Sequence, residues 1–254
     1  MFLIIALFSF SNILYAQSAE KRGLQIAQAA DQADQGFKNS IVELKMTLKN
    51  KNGQVSERSL STRTLEQTED GDKSLIIFNS PKDVKGTSTL TFTHKVGSDD
   101  QWLYLPSIKR VKRISSNNKS GPFVGSEFAY EDLSSQEVEK YTYKFLEEKG
   151  DLLIVEQYPV DPKSGYTKRI AIYNQEKGHR LEKVEFYDRK GAHLKTLTYS
   201  DYKLYKGKFW RALTFDMVNH QSNKETRLKF SEYDFESGLS EDDFTQVALQ
   251  RVSQ

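Results

Sequence analysis

Ser126, following Gly125 in VGSEF, has the chemistry of an acyl-transfer nucleophile if a histidine and an oxyanion pocket stand beside it. The motif lacks the second glycine of a nucleophile elbow, no strand–turn–helix frame surrounds it, and no histidine is an obvious partner, so a Ser126 hydrolase is the weakest of the functional readings. His94, His179, His193 and His220 are the only histidines, and none stands four residues from another as a helical metal site requires. Asp99 and Asp100 are adjacent carboxylates, but they fall where a hairpin turn is expected, and turns favour Asp for backbone reasons. Walker and dinucleotide glycine patterns are absent, and Asn118-Lys119-Ser120 is a glycosylation triplet of a kind that arises by chance. The expectation is a protein without catalysis, cofactor or metal.

One more group carries unusual chemistry. Residues 99–132 read DDQWLYLPSIKRVKRISSNNKSGPFVGSEFAYED, placing an aromatic strand, a proline, a basic run, a glycine loop and acidic residues in one connection. Such crowding serves recognition more often than packing. In an extended chain Lys109, Val111 and Arg113 share one face, while Arg110 and Lys112 share the other with Ile108 and Ile114. The run suits an anionic headgroup or an acidic partner, or else ion pairs with Glu127, Glu131 and Asp132.

The elements that must hold these residues follow from periodicity. EKRGLQIAQAADQADQGF spaces Leu24, Ala27, Ala30, Ala33 and Phe37 as one face of a helix that stops at Gly36. From Ser40 the period becomes two, with Val42, Leu44, Met46 and Leu48 on one side. Strands are predicted over 56–65, 74–78, 87–96, 101–105, 141–146 and 152–158, then over 167–173, 181–187, 194–204, 209–219 and 226–233, separated by turns such as DPKSG and NQEKG. About a dozen antiparallel strands cannot stay flat, and they should curl into most of a barrel. Leu90, Phe92 and Val96, and Leu213, Phe215 and Met217, would supply its apolar inner face, covered by the first helix and by 106–140. The alternatives are a partly covered ligand cavity or a core closed by the 15 Phe, 13 Tyr and 2 Trp.

Composition narrows the setting. With 37 basic against 35 acidic side chains the net charge is +2, so no global field recruits nucleic acid. Residues 1–16, MFLIIALFSFSNILYA, are shorter than the ~18 to 20 apolar residues of a spanning helix and read as a secretory signal ending at Ala16, with an uncleaved anchor as the alternative. Residues 17–254 then form the exported domain. The absence of cysteine excludes disulfides, thiolate metal sites and the lipid-modified cysteine of a lipobox.

PKDVKGTSTL (81–90), DDQWLYLPSIKRVKRIS (99–115) and GPFVGSEFAYEDL (121–133) together resemble the outer membrane lipoprotein-sorting-protein-like, or LolA-like, family. The resemblance implies a mainly β protein: a strongly curved antiparallel sheet forming an incomplete barrel, with a helical lid over the concave apolar face. It also implies a periplasmic carrier of lipid or acylated lipoprotein, with transient membrane contact and an inner-membrane RND-type transporter as partner. A regulatory sensor that binds a membrane signalling partner is the alternative on the same fold. Phe92, Trp102, Tyr104, Phe123, Phe128 and Tyr130 are then the candidate acyl contacts, and Arg110, Lys112 and Arg113 the candidate headgroup or partner contacts.

Overall fold

The computed structural model describes residues 18–251; the segment read as a secretory signal lies outside them. Helix α1 (Ala19–Asp34) begins at Ser18, whose side chain accepts a hydrogen bond from the Lys21 amide at 3.2 Å. There follow β1 (Asn39–Lys49), β2 (Val55–Leu65), β3 (Lys73–Ser80), β4 (Ser88–Phe92), β5 (Asp100–Leu105) and β6 (Arg110–Ile114). After a long connection come β7 (Tyr141–Lys149), β8 (Leu152–Pro159), β9 (Tyr166–Asn174), β10 (Arg180–Asp188), β11 (His193–Tyr205), β12 (Phe209–Asn219) and β13 (Lys224–Phe230). The chain closes with β14 (Asp234–Phe235) and α2 (Gln246–Arg251).

The strands form one curved antiparallel sheet in the order β6-β5-β4-β3-β2-β1-β13-β12-β11-β10-β9-β8-β7, with β14 extending the pairing of β1. It is two meanders of sequential hairpins, joined where β1 pairs with β13 and left open at β6 and β7. The two open edges are consecutive in sequence. Residues 115–140 therefore run from one edge to the other as a strap, built of turns and single helical turns.

Alternation along the strands puts Leu44, Met46, Leu60, Phe78, Leu153, Val155, Val184, Leu197 and Met217 on the concave side, where Ile26 and Ala27 of α1 and Phe123 and Phe128 of the strap pack on them. A second, smaller cluster, Leu75, Ile77, Leu90 and Tyr104, lies on the other face of β3–β5 under Phe244 and Leu249 at the carboxyl end. The expected strands are all present, β12 over the predicted residues. Three elements were missing from the expected set: β6, hidden by its charge, the two-residue β14, and the short α2. Val96 is 82% exposed because β4 ends at Phe92, before the turn at Gly97, and Leu24 is turned outward while Gly23 faces the sheet.

Gly23 sets how closely α1 docks on β7. A Cβ there would stand 2.8 Å from the Phe145 nitrogen and 3.0 Å from the Lys144 carbonyl carbon, both backbone atoms that cannot swing aside. Gly23→Val is expected to lift the helix and cost ~1–3 kcal/mol by overpacking, read as a lowered thermal midpoint.

Candidate functional site

The strap is fastened to both meanders, and its motif residues do the anchoring. Asp132 accepts from Lys195 Nζ on β11 at 2.6 Å, from the Tyr166 hydroxyl at 2.8 Å and from the Ala129 amide at 2.7 Å. Lys195 is only 3% exposed and also donates to the Glu127 carbonyl at 2.9 Å. Glu131 receives the Ser164 hydroxyl and the Gly165 amide, and Glu127 receives the Asn219 side-chain amide on β12. Burial first, then the neighbouring Asp132, raises the Glu131 carboxyl above its ordinary range. From the first meander, Arg58 Nη1 donates to the Val124 carbonyl at 2.5 Å and the Gln101 side-chain amide to the Tyr130 carbonyl at 3.0 Å. Val124 is held at φ 47°, a left-handed conformation costly for a β-branched residue.

These contacts revise the expected roles. Glu127, Glu131 and Asp132 do not pair with the basic run; they fasten the strap to β9, β11 and β12. Ser126 is buried, its Oγ bonded to the backbone of Phe128, so it shapes the turn. Asp99 pairs with Lys140 and Asp100 with Arg113, and His94 bridges Asp70 at 2.6 Å and Asp100 at 3.2 Å. Of the basic run, Arg110, Lys112 and Arg113 lie exposed on the edge strand β6, and Arg110 and Lys112 have no ion-pair partner among the described residues.

The six aromatic candidates divide by face. Phe123 packs on Phe78 at 5.5 Å and on Tyr130 at 5.7 Å, and with Phe128 they fill the concave side of the first meander. Tyr104, Trp102 and Phe92 lie on the opposite face, the last two in edge contact at 5.1 Å, beneath the carboxyl-terminal segment. A strand period of two puts them together but does not say which face is concave; the cover provided by Phe244 and Leu249 decides it.

Open space remains under α1, against the second meander. A cavity of about 710 Å³, within the size range of small-molecule sites at roughly 300–1,000 Å³, is bounded by Ala27, Ala30, Ala33 and Phe37, by Leu181, Trp210 and Phe215, and by Tyr143, Tyr173, Tyr199 and Tyr202. Arg169 and Gln157 reach it from β9 and β8. Asp31, Asp34, Glu66, Asp72 and Glu137 border it as well, and Arg211 pairs with Asp34. Burial, reinforced by Glu137 and Glu66, pushes the Asp72 carboxyl up to about 7 although the Gln67 amide donates to it. The tyrosine-rich lining was not foreseen from the sequence, which pointed to aromatic residues of β4, β5 and the strap; none of those six lines this cavity.

A family model described as an uncharacterized protein matches residues 70–251. A candidate outer membrane lipoprotein-sorting protein domain from Vibrio parahaemolyticus is 51% identical, covers 91% of this chain and 100% of its own, and superposes with a TM-score of 0.89. A DUF1329 family protein from Desulfovibrio piger is 27% identical over 92% of this chain and 100% of its own, with a TM-score of 0.86. A LolA superfamily protein from Nitrosomonas europaea shares the fold at 20% identity and a TM-score of 0.71, again over 92% of this chain and all of its own. No curated protein matches the chain.

Two measurements test the geometry. Lys195→Met leaves the Asp132 carboxylate buried without its cation, so a loss of ~3–5 kcal/mol is expected in urea unfolding, and Lys195→Met with Asp132→Asn should recover part of it. Because folding raises the Asp72 pKa from its ordinary 3.8 to about 7, its contribution to stability is full below about pH 4 and is lost as pH rises through 7. Asp72→Asn is therefore expected to flatten the fall in thermal midpoint between pH 4 and pH 8; an equal fall in both proteins would contradict the assignment.

Proposed function

Since the chain belongs to the outer membrane lipoprotein-sorting-protein-like (LolA-like) family, we propose that it is a periplasmic carrier that shelters the acyl chains of a lipid or lipoprotein on the concave side of its sheet. The observation that carries this reading is the roofed cavity of about 710 Å³ beneath α1, on a fold shared with a candidate sorting domain. Each methylene taken out of water contributes ~0.8 kcal/mol, so a dozen give about 10 kcal/mol, enough to hold a lipid without catalysis. The strap supplies the means of adjustment: Phe123, Phe128 and Tyr130 occupy hydrocarbon space that a longer cargo takes when the strap lifts.

Export as a signal-bearing chain accounts for the apolar amino-terminal run and for the lack of any lipobox cysteine. The exposed edge strand β6, with Arg110 and Lys112 unpaired among the described residues, supports contact with anionic headgroups or with an acidic face of an inner-membrane RND-type transporter. Such exposed charges act through screened, long-range attraction and are sensitive to salt.

Extraction of the protein purified from its own host, followed by lipid mass spectrometry, is expected to return acylated material in near-stoichiometric amount; protein that is free of lipid and takes up no fatty acid would count against the carrier. Arg110→Glu with Lys112→Glu is expected to weaken binding to anionic vesicles at low salt while leaving acyl binding unchanged.

A further inference from the structure

Among the described residues, one arginine of the cavity wall has no carboxylate partner. Arg169 stands on β9 at an inward position, paired across the sheet with Gln157 on β8 and Phe186 on β10. It is 7% exposed and lines the cavity. Its Nε donates to Gln157 Oε1 at 2.5 Å, and its guanidinium carbon lies 3.8 Å from the centre of the Tyr141 ring. Among the described residues no carboxylate forms an ion pair with it, and its two terminal nitrogens make no hydrogen bond. The other arginines of the cavity are matched, Arg180 by Glu182 and Arg211 by Asp34.

A buried guanidinium normally has an anion, because removing it from water is costly and only an opposite charge restores the loss. Its neighbours here are poor substitutes. Tyr173 accepts from Gln157 Nε2 at 2.7 Å and so retains its own proton to donate. Tyr199, also on the cavity wall, has no hydrogen-bond partner among the described residues. Burial drives both phenols above their ordinary pKa, so they stay neutral donors at physiological pH. Arginine, Tyr173 and Tyr199 thus present donors without an acceptor.

We propose that Arg169 is an internal oxyanion anchor, taking the carboxylate or phosphate-monoester head of an amphiphile whose hydrocarbon lies against Ala27, Ala30 and Phe215. The planar fork of a guanidinium fits either head in two parallel hydrogen bonds. This rests on the carrier reading above and adds two things to it: the cargo is anionic, and its head enters the cavity instead of staying at the basic rim. Arg110 and Lys112, on the far edge of the sheet, take no part in it.

The test is titration of the delipidated full chain with palmitate, hexadecanol and inorganic phosphate, followed by the fluorescence of Trp210 on the cavity wall and by calorimetry. Palmitate is expected to bind at least about tenfold more tightly than hexadecanol, the scale of a charge-assisted bidentate contact. Arg169→Met is expected to abolish that preference while leaving hexadecanol binding in place; Arg169→Lys keeps part of it, and Tyr199→Phe reduces palmitate binding alone. Thermal unfolding of each variant checks that it is folded, and the lysine variant carries the test if the methionine variant is not. Equal binding of acid and alcohol, or a preference that survives Arg169→Met, overturns the anchor but leaves the carrier standing. Failure of both acid and alcohol to bind overturns the carrier and the anchor together. Arg169-dependent binding of inorganic phosphate without palmitate binding also overturns the proposal, since the site would then serve a free anion.

Discussion

The open edges of the sheet are strands adjacent in sequence, and from this constraint most of the architecture follows. A connection from β6 to β7 has to cross the mouth of the curve, so residues 115–140 become its cover. A crossing segment without regular secondary structure has many backbone groups to satisfy and little surface of its own to bury. Here side chains meet that demand. Carboxylates of the strap take amides, hydroxyls and an ammonium from the second meander, while Arg58 and Gln101 of the first meander hold its carbonyls.

The buried pair of Asp132 and Lys195 is the centre of this fastening. A buried ion pair is poor evidence of net stability, since desolvation offsets most of the attraction, but it discriminates strongly between one seating of a segment and another. A strap displaced by a residue would leave both charges without partners. The same logic, applied to the cavity, separates matched charges such as Arg211 and Asp34 from Arg169, whose terminal nitrogens have no acceptor among the described residues. The first meander is filled by the strap's aromatic side chains, and the second keeps its space beneath α1.

The meander was legible in the sequence because its strands carry period-two runs between turns rich in Gly, Asp and Asn; β12, FWRALTFDMVN, has such a run in Leu213, Phe215 and Met217, and its bounds match. Strand β6 was not, since RVKRI reads as a charge cluster and becomes a strand only by pairing with β5. Arg169 was hidden by ambiguity: in KRIAIY the isoleucines 170 and 172 are as apolar as Ala171 and Tyr173, so alternation alone does not reveal which set faces inward. Trp102, Tyr104 and Phe92 were read as acyl contacts together with Phe123, Phe128 and Tyr130, but they pack on the opposite face, because the segment that covers them, near Leu249, is remote in sequence. The family resemblance was readable in 81–90, 99–115 and 121–133 taken together, although the cavity lies elsewhere.

The junction between β1 and β13 has a kinetic side. Every other neighbouring pair in the main run of the sheet is a hairpin between successive strands, which can zip soon after its residues are available, on a scale of ~1–10 μs. Leu44 finds Phe230 only once nearly the whole chain is present, and α1 meets β7 across a shorter but still long separation. Closing such long loops is the slow part of folding for antiparallel proteins. The two halves can therefore assemble early as separate ribbons, while the roofed cavity exists only after the last long strand arrives. For the proposed carrier, capacity for cargo is then the final property the chain acquires, since a partly synthesised molecule has no finished cavity.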